Sequence, residues 1–277
     1  MPLADSIRTH AVDQDLPSGG HGQVLGLSAV MAIGNEHGVK GHVVEAKALS
    51  LGIHPARYLR NQLIIDIQHQ AKLLESTIAQ VGLGGLGGTL LEVFLRTGIG
   101  TIRGADGDTF EATNLNRQAL SSPAALDRPK AEVAAERAEQ LNPSVSFEAK
   151  NEFLDARTLP DFLDGADLAV DALGGLKTRP ALQQAAADAG IPLVTGALAG
   201  WTGYVAVVMP GHEGPADIMG TDNGAEEKLG CPAPAVTFFA ALMAAEAVKL
   251  LTTGQSELTS AMLIADLKTL SFDRILL

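Results

Sequence analysis

Residues 77–108 read "TIAQVGLGGLGGTLLEVFLRTGIGTIRGADGD", with Gly82-Leu83-Gly84-Gly85-Leu86-Gly87 set between an apolar run and a helical pattern. This is a G-x-G-x-x-G at the spacing of a nucleotide-binding βαβ unit. Gly82 permits the tight turn, Gly84 and Gly85 let backbone approach a phosphate, and Gly87 lets helix and strand pack closely. The helix that follows offers free N–H groups and the positive end of its dipole. Asp106 ends the second apolar run, where a carboxylate accepts hydrogen bonds from ribose hydroxyls. Asp108, Asn114, Arg117 and Gln118 come next, at the end where parallel strands open, and Lys130 starts the following helix. Two fixed cations, Arg117 and Lys130, beside a glycine loop suit a triphosphate better than a neutral nicotinamide ring.

The elements that must position these residues follow from periodicity. Strands are expected at 77–81, 99–105, 145–149, 167–172 and 191–195, with helices between them at 86–97, 128–141, 158–164 and 177–189. Their alternation predicts a mostly parallel sheet covered on both faces. The segments 203–210, 261–267 and 270–277 read as strands without crossover helices, and 234–254 as a long apolar helix ending at Gly254. The expected fold is α/β, a Rossmann-like mostly parallel sheet extended by antiparallel strands, with a small N-terminal helical appendage. The appendage spans 1–53 and the nucleotide-binding domain 54–277. Residues 1–20 read as a loose leader. Two short helices split by a turn at 35–41 have the outline of a helix-turn-helix, but without a basic face they read better as an appendage packed on the main domain.

With 277 residues, 46% of them hydrophobic, the chain can bury a full core. Its net charge of −12 argues against nucleic acid or an anionic membrane as partner. The polar start and the lack of a long uninterrupted apolar run predict neither a signal peptide nor a membrane span, which points to the cytoplasm. The single cysteine, Cys231, excludes an internal disulfide and any Cys-rich zinc site. The seven histidines are scattered without metal-ligand spacing.

The motifs "RYLRNQ" (57–62), "VGLGGLGG" (81–88), "GIGTIRGADGD" (98–108), "NLNRQ" (114–118), "RPK" (128–130), "LNP" (141–143), "VDAL" (170–173) and "AAEAVKLL" (244–251) occur in an order and spacing that resemble the ThiF/MoeB/HesA adenylyltransferases. That family is similar in turn to the adenylation domain of ubiquitin-activating enzymes. The resemblance covers roughly 54–277. It implies an enzyme that uses ATP and Mg²⁺ to adenylate the carboxy-terminal Gly-Gly of a ubiquitin-like sulfur-carrier protein, as a homodimer. It assigns Asp106 to the ribose and Asn114, Arg117 and Lys130 to the phosphates. Arg60 matches an arginine that reaches into the neighbouring subunit's site. Arg60, Arg117, Lys130 and Asp171 are the expected catalytic set, with Asp171 the candidate for the metal.

The pattern has three departures. The family motif after the fourth strand, D-x-x-D-[NS], has its second acid replaced by Gly174, with Asp171 or Asp108 left to compensate. The paired C-x-x-C motifs are missing, so no structural zinc is expected. Cys231 sits after a Gly/Asp-rich loop, where Glu226 and Glu227 would raise a thiol pKa, and reads better as an ordinary loop cysteine than as a catalytic one. Two other readings stay open. One is a catalytically weakened relative that binds nucleotide or carrier, favoured by Gly174. The other is an NAD-dependent dehydrogenase, for which no hydride-transfer His or Lys pair is evident.

Overall fold

A computed structural model describes residues 1–17, 19–220 and 228–277. Its centre is an eight-stranded sheet in the order β11-β10-β9-β8-β7-β4-β5-β6. The strands are β4 (Thr77–Val81), β5 (Thr101–Ala105), β6 (Ser146–Lys150), β7 (Leu168–Asp171), β8 (Leu193–Ala199), β9 (Thr202–Val208), β10 (Ala261–Asp266) and β11 (Ser271–Leu276). β8, β7, β4, β5 and β6 are mutually parallel, while β9, β10 and β11 add on antiparallel. The helices between are α5 (Gly85–Thr97), α6 (Lys130–Leu141), α7 (Leu159–Leu163) and α8 (Arg179–Asp188). The strands at the centre are nearly continuous apolar runs because helices cover both their faces. β7 is buried at all four positions, and β4 at all but its first.

The chain runs outward from β4 through β5 to β6, then returns to lay β7 on the other side of β4. The crevice at the strands' carboxyl ends therefore opens at β4, the position where such sheets bind ligands. The turn out of α5 is set by close approach. A Cβ at Gly98, which ends α5 with φ +88°, would lie 2.6 Å from the Tyr58 ring. β8 runs on to Ala199, beyond the expected 195, because the two-residue turn Gly200–Trp201 folds β9 back along its full length. The long helix α9 (Ala233–Thr253) is apolar enough to cross a membrane by length and composition. Here it buries Val236, Phe239, Met243 and Ala247 in the core and packs on α5, β8 and β9.

The N-terminal unit is more than a pair of helices behind a loose leader. α1 (Leu3–His10) and the hairpin of β1 (Val12–Asp15) and β2 (His21–Leu25) precede α2 (Leu27–His37) and α3 (Gly41–Ser50). β3 (His54–Pro55) pairs with β2, so this unit's sheet reaches past residue 53. Ile7 joins Leu25, Val30, Ile33, Val44 and Ile53 in a small core of its own. The helix-turn-helix likeness does not extend to a free recognition helix. α3 buries Val44, Glu45, Ala46, Ala48 and Leu49 and packs against α4 (Ile67–Glu75) of the main body.

The seam between unit and body is polar and buried. Glu45 accepts hydrogen bonds from Tyr58 Oη and Ser144 Oγ, both at 3.3 Å, and Asn142 Nδ2 donates to Tyr58 Oη at 3.1 Å. Burial lifts the Glu45 carboxyl from 4.5 to about 7, against the pull of Arg57 and its two hydrogen-bond donors. The unfolded chain releases this proton near 4.5 and the folded chain near 7, so the folded state binds more protons across that window. Stability contributed here is present below the window and is lost as pH rises through it. Glu45→Gln, which keeps the shape without the charge, is expected to match the wild type in urea unfolding at about pH 4. By about pH 8 it should exceed the wild type by up to roughly 3 kcal/mol. Equal pH dependence in both proteins would contradict a carboxyl titrating at the seam.

Candidate nucleotide site

A cavity of about 760 Å³ lies at the carboxyl ends of β4, β5, β6 and β7. Its floor is the glycine loop. Gly82 has φ +102°, and a Cβ there would overlap the Ala172 carbonyl. At Gly87 a Cβ would overlap the Gly82 carbonyl, so the loop closes on itself too tightly for any side chain. This closure sets the first turn of α5, with its unpaired N–H groups, against the cavity. Gln80, in β4 directly beneath, donates from Nε2 to the carbonyls of Gly82 (3.0 Å) and Gly87 (2.9 Å).

Asp106 leaves the end of β5. Its Oδ2 accepts from Leu83 N–H (2.8 Å) and its Oδ1 from Asp108 N–H (2.9 Å), which fixes the carboxylate beside the loop. Lys130, buried at the start of α6, reaches Asp108 Oδ2 at 3.1 Å. Its backbone N–H also binds the Asp108 carbonyl, at 2.9 Å. Arg117 is held by the Thr113 carbonyl (2.8 Å) and Asn116 Oδ1 (3.2 Å) and lines the same cavity. Asn114 Oδ1 accepts from Glu111 N–H at 3.0 Å. Gln118 is only 8% exposed, lines the cavity, and its buried Oε1 has no partner among the described residues. A donor on a bound ligand would satisfy it.

The structure thus gathers Gly82, Gly84, Gly85, Asp106, Asp108, Asn114, Arg117, Gln118 and Lys130 around one space. Gly87 shapes the loop from behind. Two expected residues are placed elsewhere. Arg60 is exposed on the segment before α4, outside its own chain's cavity. Asp171 is 1% exposed and lies beneath the cavity wall. Its Oδ2 takes Arg179 Nη1 and Thr195 Oγ1, each at 2.7 Å, and its Oδ1 takes Leu173 N–H at 3.1 Å. The assignment of Asp171 to a metal is therefore corrected, because its lone pairs are engaged by an internal ion pair. Breaking such a pair strands a buried charge, at a cost of about 3–5 kcal/mol. Arg179 also donates to the carbonyls of Leu173 and Gly175, so this pair shapes the loop that presents Gly174.

A hard cation needs oxygen ligands, usually with a free carboxylate. Gly174 offers none, Asp171 is engaged, and Asp108 is paired with Lys130. Among the described residues no group of three His, Cys, Asp or Glu side chains stands close enough to hold a metal. The residues present do not fit a protein-held Mg²⁺. Cys231 lines the cavity, with Sγ 3.9 Å from the Leu198 carbonyl. Glu226 and Glu227, its expected neighbours, lie outside the described residues.

Gln80 and Arg179 escaped the sequence reading. Gln80 carried one signal, a lone amide in an apolar strand. Arg179 had none, since its partners come together only through the sheet. The far end of the cavity is apolar, with Ala197, Met262 and Ile264 beside Tyr204, whose phenol burial pushes up.

The ThiF family model matches residues 58–277. The Escherichia coli sulfur carrier protein ThiS adenylyltransferase is 35% identical over 202 residues, covering 70% of this chain and 80% of that protein. The Thermus thermophilus sulfur carrier protein adenylyltransferase is 32% identical over 234 residues, 79% of this chain and 86% of that protein. Among solved structures, Escherichia coli MccB with ATP superposes with a TM-score of 0.70 at 21% identity, covering 79% of this chain and 70% of that one. A family match across the whole nucleotide-binding body, with relatives this similar over most of their own length, means that the chain belongs to the ThiF family.

Proposed function

We propose that the chain is an ATP-dependent adenylyltransferase that activates the carboxy-terminal Gly-Gly of a ubiquitin-like sulfur-carrier protein. The observation that carries this reading is the convergence of Lys130, Arg117 and the glycine-loop amides on a single cavity beside Asp106. Relatives named for ThiS and for molybdopterin synthase supply the carrier class. In this reading Asp106 accepts from the ribose hydroxyls and the loop amides hold the phosphates. The apolar end of the cavity, beside Ala197, Met262 and Ile264, receives the glycine tail. The tail carboxylate attacks the α-phosphorus in line, an acyl–phosphate bond forms, and the bond to pyrophosphate breaks. Lys130 and Arg117 neutralise the charge that gathers on the leaving pyrophosphate. Catalysis is positioning and charge stabilisation, so no protein nucleophile is required.

Lys130→Met and Arg117→Ala are each expected to lower carrier-dependent ATP–pyrophosphate exchange by roughly a hundredfold or more. Exchange that survives both changes would remove these cations from the mechanism. Binding of NAD in preference to ATP would overturn the reading as a whole.

Gly174 and the engaged Asp171 favour a second reading, a nucleotide- or carrier-binding relative with slow turnover. A Cβ at Gly174 meets nothing within 4 Å and its backbone is not left-handed, so an acid fits there. Calorimetric titration is expected to show ATP binding by the wild type that is indifferent to Mg²⁺, and Gly174→Asp binding that strengthens with it. Mg²⁺ dependence already present in the wild type would show that other groups recruit the ion. ATP binding without exchange at any carrier concentration would favour the second reading.

The homodimer also belongs to this proposal. Arg60 is available to a partner subunit, and its segment exposes Leu63 (74%) and Ile64 (89%), an apolar pair suited to an interface. Mixing inactive Arg60→Ala and Lys130→Met proteins would then build one intact site in each mixed dimer. About a quarter of wild-type activity should return. No recovery, with subunit exchange verified, would leave Arg60 outside the active site.

A further inference from the structure

We propose that Gln80 is a positioning residue for phosphate binding, acting as a strut that fixes the glycine loop from below. The inference rests on the nucleotide reading above and goes beyond it, since Gln80 touches no ligand. It is fully buried in a strand whose other interior residues are Ile78, Ala79 and Val81, with Gly104 and Val170 as its neighbours across the sheet. Both of its partners, the carbonyls of Gly82 and Gly87, are acceptors, so the amide nitrogen must face them. That leaves Oε1 buried with no partner among the described residues. An aliphatic side chain would carry no such penalty, and a half-satisfied buried amide is a net cost unless its other half achieves something.

What Nε2 does is join the two ends of the loop. Gly82 and Gly87 are the first and last glycines of the motif, and one amide group holds both carbonyls away from the cavity. In a trans peptide the following N–H points opposite to the carbonyl. Anchoring the Gly82 carbonyl downward therefore turns the next N–H, that of Leu83, up to Asp106 Oδ2 at 2.8 Å, so the strut fixes the start of the loop against the end of β5. Without the strut, the glycines between could sample many backbone states, and the amides would have to be ordered anew at each binding event. Asp106 keeps its own bond to Asp108 N–H and its place on β5. The ribose end of the site depends on the strut only through the Leu83 N–H bond to Asp106, whereas the loop amides depend on it throughout.

The test is Gln80→Met, which keeps length and removes the amide, with ATP and adenosine titrated against wild type and variant. The expected result is ATP affinity lowered roughly tenfold, about the worth of one charge-assisted hydrogen bond. Adenosine affinity should fall by clearly less than ATP affinity, because Asp106 keeps its bond from Asp108 N–H. Equal loss for ATP and adenosine, or no loss for either, overturns the proposal. If Gln80→Met does not fold, Gln80→Glu decides. Its carboxyl offers one hydrogen when protonated and none when ionised, so ATP affinity relative to wild type should fall as pH rises, and more steeply than adenosine affinity. A flat ratio for ATP overturns the strut. A wild type that binds no ATP overturns the nucleotide reading and this inference with it, whereas ATP binding unchanged by the variants overturns the role of Gln80 alone.

Discussion

The structure depends on how closely β4 and α5 approach each other around Gly82 and Gly87. Each position is so near a neighbouring carbonyl that no L-side chain fits. Because the turn closes there, the N-terminal end of α5 meets the sheet at the point where the chain changes direction. The remaining placements follow from that point. β5 beside it delivers Asp106 to the loop, and β7 on the other flank delivers the Gly174 segment. The crossover after β5 brings Arg117 and Lys130 back over the opening. A glycine motif of this kind is read for its phosphate contacts, but its first consequence is to make the crevice narrow.

Much of the body was legible in the sequence, for identifiable reasons. Parallel strands buried on both faces must be apolar throughout, so β4, β5 and β7 stand out, and the helices between them carry the 3.6-residue period. The glycine loop, Asp106 and Lys130 were legible because a glycine cluster, an acid and a lysine at those places conflict with simple packing. The N-terminal unit was obscure because α1 is only eight residues long, with just Ser6 and Ile7 buried, and β1 is exposed at every position, so neither carries a long apolar run. Asp171 misled because its fate depends on Arg179, eight residues on, and on Thr195 from the next strand. A local motif shows that a carboxylate is present but not that its lone pairs are engaged. The same limit hid Gln80, whose purpose lies in two carbonyls that only the folded turn brings together.

The Asp171–Arg179 pair illustrates how support and chemistry are separated in this site. Arg179 spends its guanidinium on Asp171, on the carbonyls of Leu173, Gly175 and Gly196, and on Thr195. That geometry locks the wall behind Gly174 while leaving position 174 itself bare. A rigid frame around a glycine means that this segment's backbone is held without any ligand, so a change at 174 alters charge without rebuilding the loop.

Charge then decides what the cavity favours. The chain as a whole is strongly acidic, yet Lys130 is buried at the first residue of α6, where the helix dipole also presents positive potential. Two like-signed sources at one point are unfavourable without an anion. In the free protein Asp108 supplies it, from a side chain that is 57% exposed. A polyphosphate arriving at Lys130 has to share that lysine with Asp108, which weakens binding relative to an unpaired cation. The same carboxylate re-forms its pair as charge departs, so it favours release of a highly charged product. Arg117 adds a second cation and Gly174 contributes no negative charge, against the carboxylates of Asp106, Asp108 and Glu152 on the same lining. The pull on an anion thus comes less from a surplus of cations than from where the two cations and the helix amino terminus stand.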